Sequence, residues 1–308
     1  SNAFVPSVAG LIIGGEVVNV TADVVYNGRA ACEGAYVRLV DISGSDAKRK
    51  KALEAIGNPD CGWFYRRDAE TFKQIPGTPI AYWASDGLIE AFRLGESLGK
   101  LGKTSKGLIT GDNDFSLRLW WECSQAEFCT YAVSDEEANL SGKKWFPCNK
   151  GGMFRKWDGN HDYVVLWGDG GAAIFGHAKN TGHHSQDYSV ELKFQPNISW
   201  SDISSGAPAF RFRNNEIAEH CGMPYFPQRV SLLYCLGLLN SSVSKELFSF
   251  LSPTLHLNIG ELEKVPLIDS NNDVYTEVEN IVTDCVIISK NDWNLFENSW
   301  DFLRHPLI

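Results

Sequence analysis

Residues 143–165 read KKWFPCNKGGMFRKWDGNHDYVV, a stretch in which short apolar runs alternate with Gly, Asn and charged residues. Such runs, bounded by Gly and Asn, read as brief strands joined by loops. The same texture extends from 101 to 227, which is dense in Gly, Trp, Phe and Asn. That span reads as an irregular β-rich domain with long loops. Downstream the pattern changes. Residues 229–251 (RVSLLYCLGLLNSSVSKELFSFL) read as helical with a bend at Asn240-Ser241, Pro253 and Pro266 flank a short segment, and 273–289 read as another helix. Upstream, Pro76 and Pro79 mark a boundary in 76–85, and a helix is expected over 86–98.

Before that boundary, the Val-rich stretches 16–26 and 36–42 read as strands, punctuated by Gly28 and Gly34 and able to pair antiparallel. Residues 45–56 (SDAKRKKALEAI) read as a helix with Ser45 or Asp46 as N-cap. A short strand is expected over 62–66, then a short helix over 68–75 stopped by Pro76-Gly77. The fold class is α+β.

The chain has 308 residues, 44% of them hydrophobic, which is enough for a sizeable core. Twenty-eight Lys+Arg against 38 Asp+Glu give a net charge of −10, which excludes a basic protein that coats nucleic acid. The acid is unevenly placed. Residues 261–308 hold ten Asp+Glu against three Lys+Arg, so the central region can still present a positive face. No apolar run approaches the ~18 residues needed to span a bilayer, and no membrane partner is expected. Ser1-Asn2-Ala3 looks like a scar of tag removal, and the absence of an initiator Met suggests a piece of a longer protein beginning at Phe4.

The eight cysteines, Cys32, Cys61, Cys123, Cys129, Cys148, Cys221, Cys235 and Cys285, form no CxxC pair. They read as mostly buried free thiols of a cytoplasmic protein. His177, His183 and His184 are the nearest approach to a zinc cluster, in a polar stretch that reads as a solvated loop. Gly14-Gly15 precedes a strand and lacks GxGxxG spacing, and neither GxxxxGK[ST] nor GxSxG occurs. Asn58-Pro59-Asp60-Cys61 resembles the Asn-Pro-Pro-aromatic loop that holds a flipped adenine, but lacks the second Pro and the stacking ring, and reads as a helix-terminating turn. Asp112, Asp114 and Glu122 read as solvated loop carboxylates. No catalytic or metal residues are assigned.

Binding chemistry is more visible. The 143–157 segment carries Lys143, Lys144, Lys150, Arg155 and Lys156 without an acid, with Trp145, Phe146, Phe154 and Trp157 interleaved. Lys150, Arg155 and Lys156 are candidate phosphate contacts, Gly151 and Gly152 would let backbone amides approach a ligand, and Asn149 could add a hydrogen bond. In 199–213 (SWSDISSGAPAFRFR), Ser204 and Ser205 could donate to phosphate oxygens. Arg211 and Arg213 alternate with Phe210 and Phe212, as on a strand with one basic and one apolar face.

Several stretches together resemble the PglX-type adenine-specific DNA methyltransferases of bacterial BREX phage-resistance systems. They are GGEVVNVTADVV at 14–25, YVRLVDI at 36–42, IPGTPIAYWAS at 75–85, GLITGDNDFSLRLWWE at 107–122 and the 143–165 stretch. SWSDISSGAPAFRFR at 199–213, LGLLNSSV at 236–243, SPTLHLNIGELEKVPLI at 252–268 and DWNLFENSWDFLRHPLI at 292–308 complete the set. The sequence departs from the family pattern at Cys148, where a Tyr is expected, and at Asp114-Phe115, where an Arg is common after the Gly-Asp-Asn triplet.

The resemblance implies a C-terminal piece: residues 4–84 the last part of a methyltransferase catalytic domain, with remnant strands of its sheet; 85–268 a β-rich target recognition domain with a helical buttress; 269–308 a helical segment. S-adenosylmethionine is then expected for the full-length parent and no cofactor for this piece, which should be inactive alone. The implied partner is double-stranded DNA. The alternative is a protein–protein module without DNA affinity, docking other proteins of the defence complex or inhibitors made by phage.

Overall fold

The computed structural model describes residues 33–308 except 204, 205, 253 and 306. The 16–26 stretch and its expected pairing with 36–42 lie outside the described residues. The described fold is α+β, in two compact units that divide between Ile89 and Glu90, inside the helix Asp86–Leu94.

In the first unit the strand Gly34–Val37 pairs antiparallel with Phe64–Arg67, Tyr36 facing Tyr65. The expected 36–42 strand stops at Val37, because Arg38–Asp41 turn away toward the helix Ser45–Gly57. That helix is capped by Gly44, without a side-chain cap, rather than by Ser45 or Asp46. It buries only Ala55, so Lys48, Arg49 and Lys50 face solvent. Asn58 ends it: its N–H donates to Glu54 O (2.8 Å) and its Oδ1 accepts from Asp60 N (3.3 Å). The Asn-Pro-Asp-Cys turn is thus a helix terminator. Arg67 then clamps the proline-bounded segment, donating to Tyr82 O and Ala84 O and pairing with Asp86. Tyr36 stacks on Tyr82 at 4.7 Å.

The second unit is built on two four-stranded sheets. One is wholly antiparallel, in the order Phe210–Arg213, Asn197–Trp200, Pro224–Pro227, Gly102–Thr104. The other runs Ile217–Ala218, Trp145–Asn149, Tyr163–Leu166, Leu117–Leu119, with its first pair parallel. Only residues 214–216 separate the edge strand of the first sheet from that of the second. Phe146, Cys148, Val165, Trp167, Ile174 and Phe194 form the core of the second sheet.

The helix Ala172–Thr181 covers that core, where a solvated loop was expected, and carries His177. Gly176 and the preceding run Gly168–Gly171 obscure it in the sequence. Asp112 and Glu122, expected as solvated carboxylates, serve as local caps, accepting from Phe115 N and Leu119 N. The seven described cysteines are free thiols, four of them buried.

Helices buttress the first sheet. The expected 229–251 helix is two, Leu232–Asn240 and Ser242–Leu251, broken at Ser241, whose hydroxyl caps the second. Helix Asn272–Trp293 lies along Leu232–Asn240, with Tyr234 and Tyr275 stacked at 4.0 Å. Gly237 permits this approach: a Cβ there would stand 2.9 Å from Val282 Cγ2 and 3.0 Å from Val278 Cγ1. Among the described residues no helix is long and apolar enough to cross a membrane.

Asn240 joins helix to sheet. Its Oδ1 accepts from Phe210 N (3.1 Å) and its Nδ2 donates to Phe210 O (2.9 Å), so one buried amide completes the edge of the strand. Replacing it leaves two strand-edge groups without that partner. Asn240→Ala should lower stability by about 2–3 kcal/mol, and Gly237→Leu by about 1–3 kcal/mol or more through overpacking. Urea denaturation checks both, and wild-type midpoints would refute the assignment.

Candidate nucleic-acid interface

The 149–157 segment leaves the strand Trp145–Asn149 and returns along the edge of the other sheet. Trp157 bridges Arg211 in parallel, its N–H donating to Phe210 O (2.9 Å) while its carbonyl accepts from Phe212 N (2.8 Å). Asn149 anchors the start. It is 1% exposed, its Nδ2 donates to Ser199 Oγ and Gly222 O, and its Oδ1 accepts from Gly151 N. Asn149 therefore ties one sheet to the other and is not placed to meet a ligand. Gly151 and Gly152 adopt φ of +80° and +120°. A Cβ at Gly151 would fall 2.7 Å from Cys221 O and one at Gly152 2.8 Å from Asn160 Nδ2, so both glycines serve the turn, although Gly152 is exposed.

The basic residues of the loop divide. Lys150 is half-buried, its Nζ 4.9 Å from the Tyr163 ring centroid, and it makes no ion pair among the described residues. Lys156 donates to Asn240 O (2.7 Å). Arg155 pairs with Asp292 (2.5 Å), donates to Asp158 O and lies over Trp293 at 5.2 Å, bolting the loop to the long C-terminal helix. Between these anchors the tip is apolar and open: Met153 is 85% and Phe154 65% exposed. A shallow cleft of about 250 Å³ beside it is lined by Phe154, Lys156, Pro208, Lys245 and Phe248. Lys245, on helix Ser242–Leu251, is exposed and escaped the sequence reading, as did Met153. A lysine on an otherwise amphipathic helix carries no signal by itself.

The arginines of the 210–213 strand are not the solvent face expected of them. Arg211 is 0% and Arg213 1% exposed. The alternation is real, but both faces of this strand are covered, one by the helices and the other by the 150–162 segment. Arg211 donates to Arg155 O (3.1 Å) and Ser201 Oγ (3.0 Å), and burial, with Arg213 nearby, pushes its guanidinium down to about 9. Arg213 faces Glu216 at 3.4 Å and donates to Asn160 O. These two arginines organise the interior and do not reach phosphates. Ser204 and Ser205 lie outside the described residues.

Around Arg213 a buried network closes. His161 turns Nδ1 to Glu216 Oε1 (2.5 Å) and Nε2 to Asp158 Oδ2 (2.9 Å). Burial and Arg213 both disfavour the imidazolium, yet the two carboxylates outweigh them and its pKa is raised. Burial pushes Glu216 and Asp158 up, but Arg213 and His161 more than compensate and both carboxyls sit below their ordinary range. Nothing in the sequence pointed to His161; its partners are 3 and 55 residues away.

No protein-family model matches the chain. Adenine-specific methyltransferase PglX of Lacticaseibacillus casei (strain Zhang) is 36% identical over 304 residues, covering 96% of this chain and 25% of the relative. Adenine-specific methyltransferase BrxX of Escherichia coli O9:H4 (strain HS) is 31% identical over 302 residues, covering 96% and 23%. The chain spans about a quarter of the length of these relatives. Over nearly its whole length the chain is thus similar to a stretch of PglX-type adenine-specific methyltransferases, as a fragment of such a protein would be.

The network sets a pH dependence. A raised His161 pKa stabilises the fold fully below the unfolded value of about 6.5, and that contribution is lost as pH rises through the folded pKa. The lowered carboxyls act oppositely, losing their contribution as pH falls below about 4. Stability should therefore decline from pH 6 toward pH 9 in the wild type and less steeply in His161→Gln. NMR titration should place the His161 imidazole above 6.5. Parallel declines, or an imidazole titrating below that value, would contradict it.

Proposed function

We propose that this chain is the target-recognition part of an adenine-specific DNA methyltransferase and that it contacts duplex DNA through the 150–156 loop. The observation that carries this reading is the contrast within that loop. Its base is fixed by Asn149, Lys156 and the Arg155–Asp292 pair, while its Met153-Phe154 tip stands in solvent. A rigid loop with an apolar tip suits insertion against a groove or base step. Lys150 and Lys245 supply phosphate contacts beside it. Lys48, Arg49 and Lys50, exposed on the first unit's helix, are a second group of cations suited to phosphate. The C-terminal helix Asn272–Trp293 carries Asp273, Glu277, Glu279, Asp284 and Asp292 against Lys290, so it repels phosphate and DNA approaches from elsewhere. On this reading S-adenosylmethionine and the methyl transfer belong to the rest of the relatives' length, and the site acts in phage defence inside the cell.

A second reading rests on an apolar groove of about 400 Å³ along helices Leu232–Asn240 and Asn272–Trp293. Leu238, Val243, Ile268, Val278 and Ile281 line it, and it suits a protein partner.

Fluorescence anisotropy on mixed-sequence duplex DNA separates the two. Binding should fall steeply with salt. Lys150→Ala with Lys245→Ala should weaken all sequences alike and reduce the log–log salt slope by roughly 2. Met153→Ala with Phe154→Ala should weaken binding with the slope kept. Wild-type affinity and slope in the lysine double variant would sink the loop assignment. Absence of DNA affinity in this chain and in the full-length protein would favour the protein-docking reading.

A further inference from the structure

We propose that Asp112, His177 and His183 form a binding site for a divalent transition-metal ion of the zinc type. The Asp112 Oδ2 stands 2.9 Å from His177 Nε2 and 3.9 Å from His183 Nδ1. One ligand atom from each residue lies within 4.8 Å of the other two. A tetrahedral zinc ion with bonds of about 2.0–2.2 Å separates its ligands by about 3.3 Å. Side-chain adjustments on the order of an ångström therefore close the set around an ion.

The surroundings prepare each ligand. The Asp112 carboxylate is divided: Oδ1 accepts from Phe115 N (3.2 Å), which leaves Oδ2 to the histidines. Phe115 stacks on the His177 imidazole at 3.9 Å, nearly parallel, and fixes the ring that presents Nε2. His183 follows the end of helix Ala172–Thr181, where Thr181 Oγ1 bonds His177 O (2.8 Å) and lies 3.2 Å from His183 Nδ1. The two segments are already zippered next door. Leu108–Ile109 pairs antiparallel with Gln186–Asp187, and Ser185 Oγ donates to Ile109 O (2.9 Å). The ion thus meets a preformed site rather than organising one.

His177 bonds Asp112 Oδ2 directly, while His183, held at Nδ1 by Thr181 Oγ1 (3.2 Å), stands 3.9 Å from the same oxygen, close enough to share an ion with it. Two imidazoles and one carboxylate are a donor set for zinc, cobalt, nickel or copper rather than magnesium or calcium, which take oxygen ligands. His183 is 47% exposed at its side chain, so a further coordination position is open to water. Held there, the ion ties the 110–116 turn to the end of the helix over the second sheet's core.

A second group, Glu219, His220 and Cys221, lies in close proximity but is built differently. His220 gives Nδ1 to Glu219 and Nε2 to the Cys221 thiol (3.5 Å). One ring cannot offer both nitrogens to one ion. Burial and Glu219 also push that thiol up to about 11, against the thiolate a metal needs.

The test is a titration of the chelator-treated chain with Zn²⁺ and Co²⁺ at pH 7.5. One equivalent should bind and raise the thermal midpoint, with a Co²⁺ visible spectrum lacking any thiolate charge-transfer band. His177→Gln and His183→Gln should each weaken binding at least tenfold, and the exposed His183 variant keeps the test valid if His177→Gln misfolds. His220→Gln with Cys221→Ser should bind as the wild type does. No saturable binding, or binding lost in the 220/221 variant and kept in the 177 and 183 variants, would overturn the proposal.

Discussion

The second unit depends on how two buried guanidinium groups are accommodated. Taking a charge out of water is costly unless it is paired and hydrogen-bonded. Arg213 faces Glu216 and also lies 2.8 Å from His161 Nδ1, and His161 meets Glu216 and Asp158, so two basic groups share two carboxylates in the interior. Arg211 has no carboxylate within ion-pair distance among the described residues and rests on Arg155 O and Ser201 Oγ. Because these partners come from the 155–161 segment, the 210–216 turn and the 201 loop, the arginines can be buried only when all three are in place. His161 also meets the C-terminal helix and the residues after it, edge-on to Trp293 at 6.1 Å and Trp300 at 5.4 Å. One charge network thus joins both sheets to the helical buttress.

The same network explains why the surface loop has a fixed base. Arg155 is held through its carbonyl by Arg211 and through its guanidinium by Asp292, while Lys156 reaches Asn240, whose amide completes the Phe210 edge. A loop carried by rigid elements presents its tip in one position. Arg155 and Lys156 use their charge inside the fold, whereas Lys150 makes no ion pair among the described residues and Lys245 lines the cleft beside Phe154. The metal site stands on the other sheet's helix, with ligands and core separate from this network.

Much of the local structure was legible because local chemistry decides it. The helix over 45–57 follows from its run of strong helix formers, and its Asn58 terminator, the break at Ser241 and the long helix from 272 from capping residues and apolar spacing. The helix Ala172–Thr181 was not, since its glycines argue against helix and its burial over Trp167 and Phe194 argues for it. Likewise the FRFR alternation is a true strand, but alternation says only that two faces differ. Which face meets water depends on what lies against each, and here both are covered.

What the sequence determined by itself is kinship and the placing of short elements, because the order and spacing of many weak motifs, and the preferences of Gly, Pro and Asn, are properties of the chain alone. What only the tertiary structure decided is the use of each charge. Lys150, Arg155, Arg211 and Arg213 carry the same charge in sequence. Their roles diverge because burial and partners from distant segments, Asp292 for Arg155 and Glu216 for Arg213, set whether a charge faces solvent or the interior. The same holds for Asp112, brought by folding to histidines 65 and more residues away.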